Sequence, residues 1–269
     1  MDNQHEPIEC MLLDLDDCLY YSREMSQQVA KNIRSYMERH LGMGEKEAFE
    51  LSTELYFEHG TTLAGLVSKG YVIDYDHWHE NVHACLPYET YLKPDPGLGS
   101  MLNTIPVRKY VFTNADIRHA KKCLGILGLM DCFAGIICFE TLMEFAKTRG
   151  HDLDSNVVCK PNPVAMRLAL EYVEASNSNT IFFDDSARNV SSAHKLSIRS
   201  VLVNPNRIDC ACSSHIRSIH DIPHQLPWLV SVGDGRPPEE EVLEVSSPRR
   251  RREDYAAAAA EETPVTVQA

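Results

Sequence analysis

Residues 8–17 read Ile-Glu-Cys-Met-Leu-Leu-Asp-Leu-Asp-Asp. A short apolar run ends abruptly in three carboxylates within four positions. That is the signature of a buried strand whose carboxyl end opens onto a polar site. Four more runs of the same kind follow: Lys109–Thr113, Gly135–Phe139, Thr180–Phe183 and Ser200–Val203. Between them lie stretches with apolar residues three and four apart, Ile117–Gly128, Pro163–Val173 and Ala187–Leu196. Pro163 suits a first helical turn, and Asp185 or Ser186 suits an N-cap. Strands alternating with helices predict an α/β fold with a Rossmann-like parallel sheet and right-handed crossovers.

The rhythm breaks between Tyr20 and Pro94. Ser26–Leu41, Glu45–Phe57, Thr61–Lys69 and Asp76–Leu86 all carry helical periodicity, with no strong strand among them. This predicts an inserted helical cap domain. The expected division is core at 1–19, cap at 20–94, core again at 95–232 and a tail at 233–269. The tail has a proline pair, an acidic run, the basic run Arg249–Arg252 and an alanine run, a composition expected to be disordered.

Lys plus Arg is 26 and Asp plus Glu is 39, a net charge of −13 over 269 residues. Such a chain is ill suited to binding a nucleic-acid polymer, where phosphates are neutralised by basic side chains. No apolar stretch reaches the roughly 20 residues that span a bilayer. The polar N-terminus and nine cysteines, an odd number, point to reduced thiols and a cytoplasmic protein. The basic tail run leaves a nuclear address open. The sequence is silent on oligomeric state.

In an open parallel sheet, ligands gather at the carboxyl ends of the strands. Asp14, Asp16, Thr113, Asn114, Asp184 and Asp185 all fall there, and Lys160 lies in a loop before a helix. Residues i and i+2 of a strand face one side, so Asp14 and Asp16 can address one group. Crowded carboxylates call for a cation, and oxygen donors suit Mg²⁺. Asp17 is assigned to structure.

With these motifs in order over about Met11–Val203, the sequence resembles the haloacid dehalogenase-like hydrolase superfamily. DLDDCLY, FTN, the lysine of CKPNP and FFDDS correspond to its four motifs. DLDDCLY, TNA and FFDDSARN resemble its pyrimidine 5′-nucleotidase branch, of plant type. The resemblance implies a Mg²⁺-dependent phosphomonoester hydrolase working through an aspartyl phosphate. Its substrate would be a small phosphate ester, nucleoside 5′-monophosphates first and pyrimidines foremost; a sugar or cofactor phosphate is the alternative. Asp14 would be the nucleophile and Asp16 the acid and base. Lys160 would offset charge, and Thr113 with the backbone around Asn114 would bind phosphoryl oxygens. Asp14, the Asp16 carbonyl, Asp184 and Asp185 would hold the metal. A phosphoacceptor signalling domain would need its acidic pair before the phosphorylated aspartate, an order not met here. An inactive scaffold would not need the full motif set.

Three further features stand outside the motifs. In the cap, Tyr56–Thr62 turns at Gly60, and His59 and Thr62 are expected to contact the substrate. His77, His79 and His83 invite a metal reading, but no nearby residue completes the set, so they are assigned to a cap-helix surface. Cys210, Cys212 and His215 lack zinc-knuckle spacing and are read as reduced thiols and a lone histidine.

Overall fold

The computed structural model describes residues 7–153, 155–206 and 214–230. Strand β1 (Cys10–Leu13) is followed by five helices: α1 (Arg23–Leu41), α2 (Glu45–His59), α3 (Thr62–Ser68), α4 (Tyr75–Val82) and α5 (Tyr88–Tyr91). Then come α6 (Pro96–Thr104), β2 (Arg108–Phe112), α7 (Ile117–Leu127), β3 (Gly135–Ile137), α8 (Phe139–Thr148) and α9 (Pro163–Tyr172). The remainder is β4 (Thr180–Asp184), α10 (Ala187–Lys195), β5 (Arg199–Val203), β6 (Ser214–Ile216) and α11 (Ile222–Gln225).

The six strands form one parallel sheet in the order β3-β2-β1-β4-β5-β6. This is the α/β Rossmann-like core that the alternating pattern predicts. All four residues of β1 are buried, as a central parallel strand covered on both faces requires. Met11, Leu12, Leu13, Phe112, Phe182 and Phe183 fill the layer between sheet and helices. Each such side chain contributes about 1.5–3 kcal/mol by leaving water.

Local chemistry sets the helix ends. Ser22 Oγ accepts from the Met25 N–H to start α1, and Gly42, at φ 71°, ends it. Pro163 occupies the first turn of α9 behind the Asn162 cap. Within the insertion, Asn32 donates to the Val82 carbonyl at 2.8 Å and ties α1 to α4.

Five of the labelled elements escaped the sequence reading: α6, α8, β6 and the four-residue helices α5 and α11. The pattern Phe139, Leu142, Met143, Ala146 makes α8 amphipathic, yet the apolar run before it was extended as strand through Phe139. In the structure the strand stops at Ile137. The α6 segment lies in the stretch expected as core, with no element of its own assigned there. Strand β6 is an edge strand of three residues, two of them polar, too short for alternation to register.

Among the described residues no helix is long and apolar enough to cross a membrane. The tail at 233–269, with Arg249–Arg252, and the Cys210 and Cys212 pair lie outside the described residues.

Candidate active site

The carboxyl ends of β1 and β4 lie side by side, because Leu13 pairs with Phe183 and the Asp14 N–H donates to the Phe183 carbonyl at 2.9 Å. This places Asp14 beside Asp184. Lys160, fully buried, reaches both: its Nζ donates to Asp14 Oδ1 and to Asp184 Oδ2, each at 2.7 Å. The rings of Phe112 and Phe182 flank the ammonium at 5.1 and 5.6 Å. Burial disfavours the lysine charge, but the two carboxylates outweigh it and raise its pKa, so Lys160 is held as an ammonium. A buried cation of this kind depends on its partners, since removing one leaves an uncompensated charge.

Asp14 responds in the opposite sense. Burial, and then the charge of Asp184, raise its pKa to about 7 against the pull of Lys160. Asp185, partly exposed, is raised well above the carboxylate range by desolvation and by Asp184 and Asp14. Oxygen atoms of Asp14, Asp184 and Asp185 lie within 4.8 Å of one another. Asp14 Oδ2 is buried and has no hydrogen-bond partner. Three converging carboxylates with an orphaned acceptor among them fit a hard dication, whose charge would relieve the repulsion. Asp184 Oδ1 is engaged elsewhere, accepting from the Ser186 N–H and from Asn189 Nδ2, both at 2.9 Å.

The Asp16 carboxylate belongs to a different set of contacts. Its Oδ1 faces His119 Nε2 at 2.8 Å and accepts a short bond from the Tyr20 hydroxyl. Burial opposes ionisation, but His119 and Tyr20 together hold the Asp16 pKa below its usual value. The same pairing raises His119 well above the ordinary imidazole range despite its burial. Asp16 and His119 therefore stand as a carboxylate–imidazolium pair. Asp17 is structural, as expected: it accepts from the Ser22 N–H and the Ser26 hydroxyl at the start of α1.

Thr113 is buried, and its Oγ1 accepts from the Ala115 N–H at 3.1 Å, leaving the hydroxyl proton to donate. The Asn114 side chain clamps the Lys160 peptide: Oδ1 accepts from its N–H at 2.9 Å and Nδ2 donates to its carbonyl at 3.0 Å. It positions the lysine, and both its polar atoms are engaged. The structure thus gathers Asp14, Lys160, Asp184 and Asp185, with Asn114 behind them.

The side-chain contacts of the other two expected substrate residues lie within the insertion. Thr62 is fully enclosed and its hydroxyl donates to the Ser52 carbonyl at 3.1 Å. The His59 ring meets Ser68 and Glu58. What the corner does touch is the lysine loop. A side chain at Gly60, whose φ is 92°, would run into the Lys160 carbonyl and the Pro161 ring. Arg188 at the start of α10 secures the other end of the corner, donating to the carbonyls of Tyr56 and Phe57 at 2.9 Å.

The histidine expectation also needs correction. His79 and His83 are buried, because Asp116, 33 residues from His83, turns toward them from the start of α7. Only His77 keeps partial exposure. Sequence reasoning missed His119, Tyr20, Asn189 and Asp116. Nothing local marks His119 as a partner of Asp16, since 103 residues separate them. For Asn189 the signal was its spacing of five from Asp184.

Residues 8–196 match the family of haloacid dehalogenase-like hydrolases. The chain belongs to that family. It is 28% identical over 198 residues to phosphate metabolism protein 8 of Saccharomyces cerevisiae, a match that covers 70% of this chain and 59% of the yeast protein. Among solved structures it is similar to the HAD phosphatase of Thermococcus onnurineus, with a TM-score of 0.53, 17% identity, and coverage of 81% of this chain and 98% of that one. The L-2-haloacid dehalogenase of Xanthobacter autotrophicus aligns with a TM-score of 0.50 and 14% identity, covering 82% and 98%. At these identities the structural likeness establishes the fold.

Proposed function

We propose that this hydrolase cleaves phosphomonoesters through an aspartyl phosphate on Asp14, with Mg²⁺ held by Asp14, Asp184, Asp185 and the Asp16 carbonyl. One observation carries the reading. Lys160 joins the carboxylates at the ends of β1 and β4, and Asp16 stands two residues beyond Asp14 on a proton-bearing partner. The printed name of the yeast relative, which refers to phosphate metabolism, points the same way.

In the first half-reaction Asp14 attacks phosphorus, the ester P–O bond breaks, and the leaving oxygen takes a proton from Asp16. The Asp16 carboxylate is ionised in this structure, so that proton must reach it first. His119, 2.8 Å away and held protonated, is its source. In the second half-reaction a water attacks the phosphoryl group, Asp16 takes the water proton and returns it to His119, and inorganic phosphate leaves Asp14 free. Mg²⁺ supplies neutralisation of phosphoryl charge and of the crowded acids. The Thr113 hydroxyl donates to a phosphoryl oxygen, and the Lys160 ammonium faces the charge that develops on Asp14.

Residues 20–94 act in this reading as a cap over the site, meeting the core at Gly60 against the lysine loop, at the Arg188 contacts with Tyr56 and Phe57, and at His83 beside Asp116. The substrate is a nucleoside 5′-monophosphate, pyrimidines first, on the strength of DLDDCLY, TNA and FFDDSARN. The seven cysteines among the described residues are free thiols, in keeping with a reducing compartment such as the cytoplasm. The deciding experiment measures phosphate release from a panel of esters by purified protein, with Mg²⁺ and with chelator. Mg²⁺-dependent turnover with the highest kcat/KM on UMP or CMP supports the whole reading. Preference for a sugar phosphate would overturn the substrate class, and no phosphate release would overturn the activity.

A further inference from the structure

The second cluster of polar groups lies between α4 and α7, outside the carboxylate site. His79 and His83 are one helical turn apart on α4, and their rings stack 5.7 Å apart at 16°. Asp116, the N-cap of α7, faces them both. Its Oδ2 is 2.5 Å from His83 Nδ1 and 3.5 Å from His79 Nδ1. All three residues are more than nine-tenths buried, and neither ring nitrogen of His79 has a hydrogen-bond partner. A buried imidazole aimed at a carboxylate with both nitrogens unsatisfied has a cost that needs a reason.

We propose that His79, His83 and Asp116 form a binding site for a late first-row divalent cation, Zn²⁺ foremost, which ties α4 to the start of α7. The donor set is two imidazoles and one carboxylate, a combination that suits Zn²⁺ and its neighbours better than Mg²⁺. Three protein ligands are also the count of an open zinc site. Donors about 2.0–2.2 Å from a tetrahedral ion stand roughly 3.3 Å from one another. The His79–Asp116 separation already meets this, and the His83–Asp116 pair must open by less than an ångström. Asp116 can serve without uncapping α7, because its other oxygen, Oδ1, takes the N–H groups of Arg118 and His119. The ion takes the place of the Nδ1 proton that neutral His83 directs at Asp116, and the imidazole carries that proton on Nε2 instead, so it binds as the neutral ring.

The consequence is a cross-link between the helical insertion and the loop that carries Thr113 and Asn114. Such a link would resist separation of the insertion from the core, and it does not depend on what the enzyme hydrolyses.

The test uses the full chain, stripped with chelator and kept in saturating Mg²⁺ so that the oxygen-rich site is filled. Co²⁺ is titrated in and followed by visible absorption, with Zn²⁺ as competitor and with thermal unfolding as a second readout. One equivalent of tightly bound Co²⁺, visible bands of low-coordinate character, displacement by Zn²⁺ and a raised melting temperature are expected. His79→Gln and His83→Gln should each weaken Co²⁺ binding at least tenfold and abolish the thermal shift. No binding by the wild-type chain overturns the site. Binding that is unchanged in both variants also overturns it, since the ion then sits elsewhere. Should neither variant fold, X-ray absorption of the Zn²⁺-loaded wild type decides: two imidazole ligands support the site, whereas a sulfur shell or an oxygen-only shell overturns it.

Discussion

His119 Nε2 lies 2.8 Å from Asp16 Oδ1, joining the middle of the sequence to its first acidic motif in one partly buried ion pair. If His119 supplies the proton that Asp16 passes to the leaving oxygen, its loss must matter most when that oxygen is strongly basic. His119→Ala is expected to lower kcat on an alkyl phosphate such as a nucleoside monophosphate by about 10²-fold, in the range for general acid–base catalysis. On p-nitrophenyl phosphate, whose leaving group departs without a proton, the loss should be several-fold smaller. Equal losses on both esters would assign His119 to structure alone.

Asp14→Asn should abolish turnover, by about 10³-fold or more, while the protein stays folded. A carboxamide lacks the anionic oxygen that attacks phosphorus, yet it keeps the shape and a carbonyl acceptor for Lys160. Circular dichroism and phosphate release report the two halves of this expectation. Retained turnover would rule out the covalent intermediate.

Lys160→Ala is expected to destabilise the fold by about 3–5 kcal/mol, because it strands two buried carboxylates that now share one ammonium. Urea unfolding measures it. The penalty should shrink when Asp14→Asn is added, and a strictly additive double mutant would contradict the coupling.

Gly60→Ala combines an unfavourable positive φ with a collision against the Lys160 carbonyl and Pro161. A cost of about 1–3 kcal/mol follows from backbone strain of this sort. Because the displaced atoms belong to the loop of Lys160, to which the proposed mechanism gives a role, kcat should fall together with stability. Loss of stability at full kcat would show that the corner does not steer Lys160.

Thr62→Val removes a buried hydroxyl from Ser52 and should cost about 1 kcal/mol. Its kcat/KM ratios between phosphate esters should match those of the wild type. A changed ratio would return Thr62 to the substrate-binding residues.

The β1, β2, β4 and β5 strands were legible because a buried parallel strand is a short continuous apolar run, and three of the four motifs sit where such a run ends. The long amphipathic helices were legible for the same kind of reason. The three-residue β6 carries too little pattern, and α8 was obscured by the apolar residues that lead into it. Asp14, Lys160, Asp184 and Asp185 could be chosen from residue type and order alone. The Asp16–His119 and His83–Asp116 pairs could not, since each joins distant segments through tertiary packing. His59 and Thr62 illustrate how little of a corner's packing the sequence carries. The polar corner packs on the lysine loop through the Gly60 backbone and the Thr61 hydroxyl beside Cys159, partners that no local pattern announces.

The place of β1 in the sheet bears on how the chain is made. It is synthesised before both of its neighbours, which begin at Arg108 and Thr180. As the ribosome works through the helical insertion, a strand of four core residues has no edge to join. The insertion, whose contacts are mostly local, can fold in that interval. The central strand becomes fully paired only after Asp184 has emerged, so maturation of the core is deferred until both partner strands are made. A topology of this kind folds slowly for its size and leans on chaperones to keep the waiting strand from aggregating.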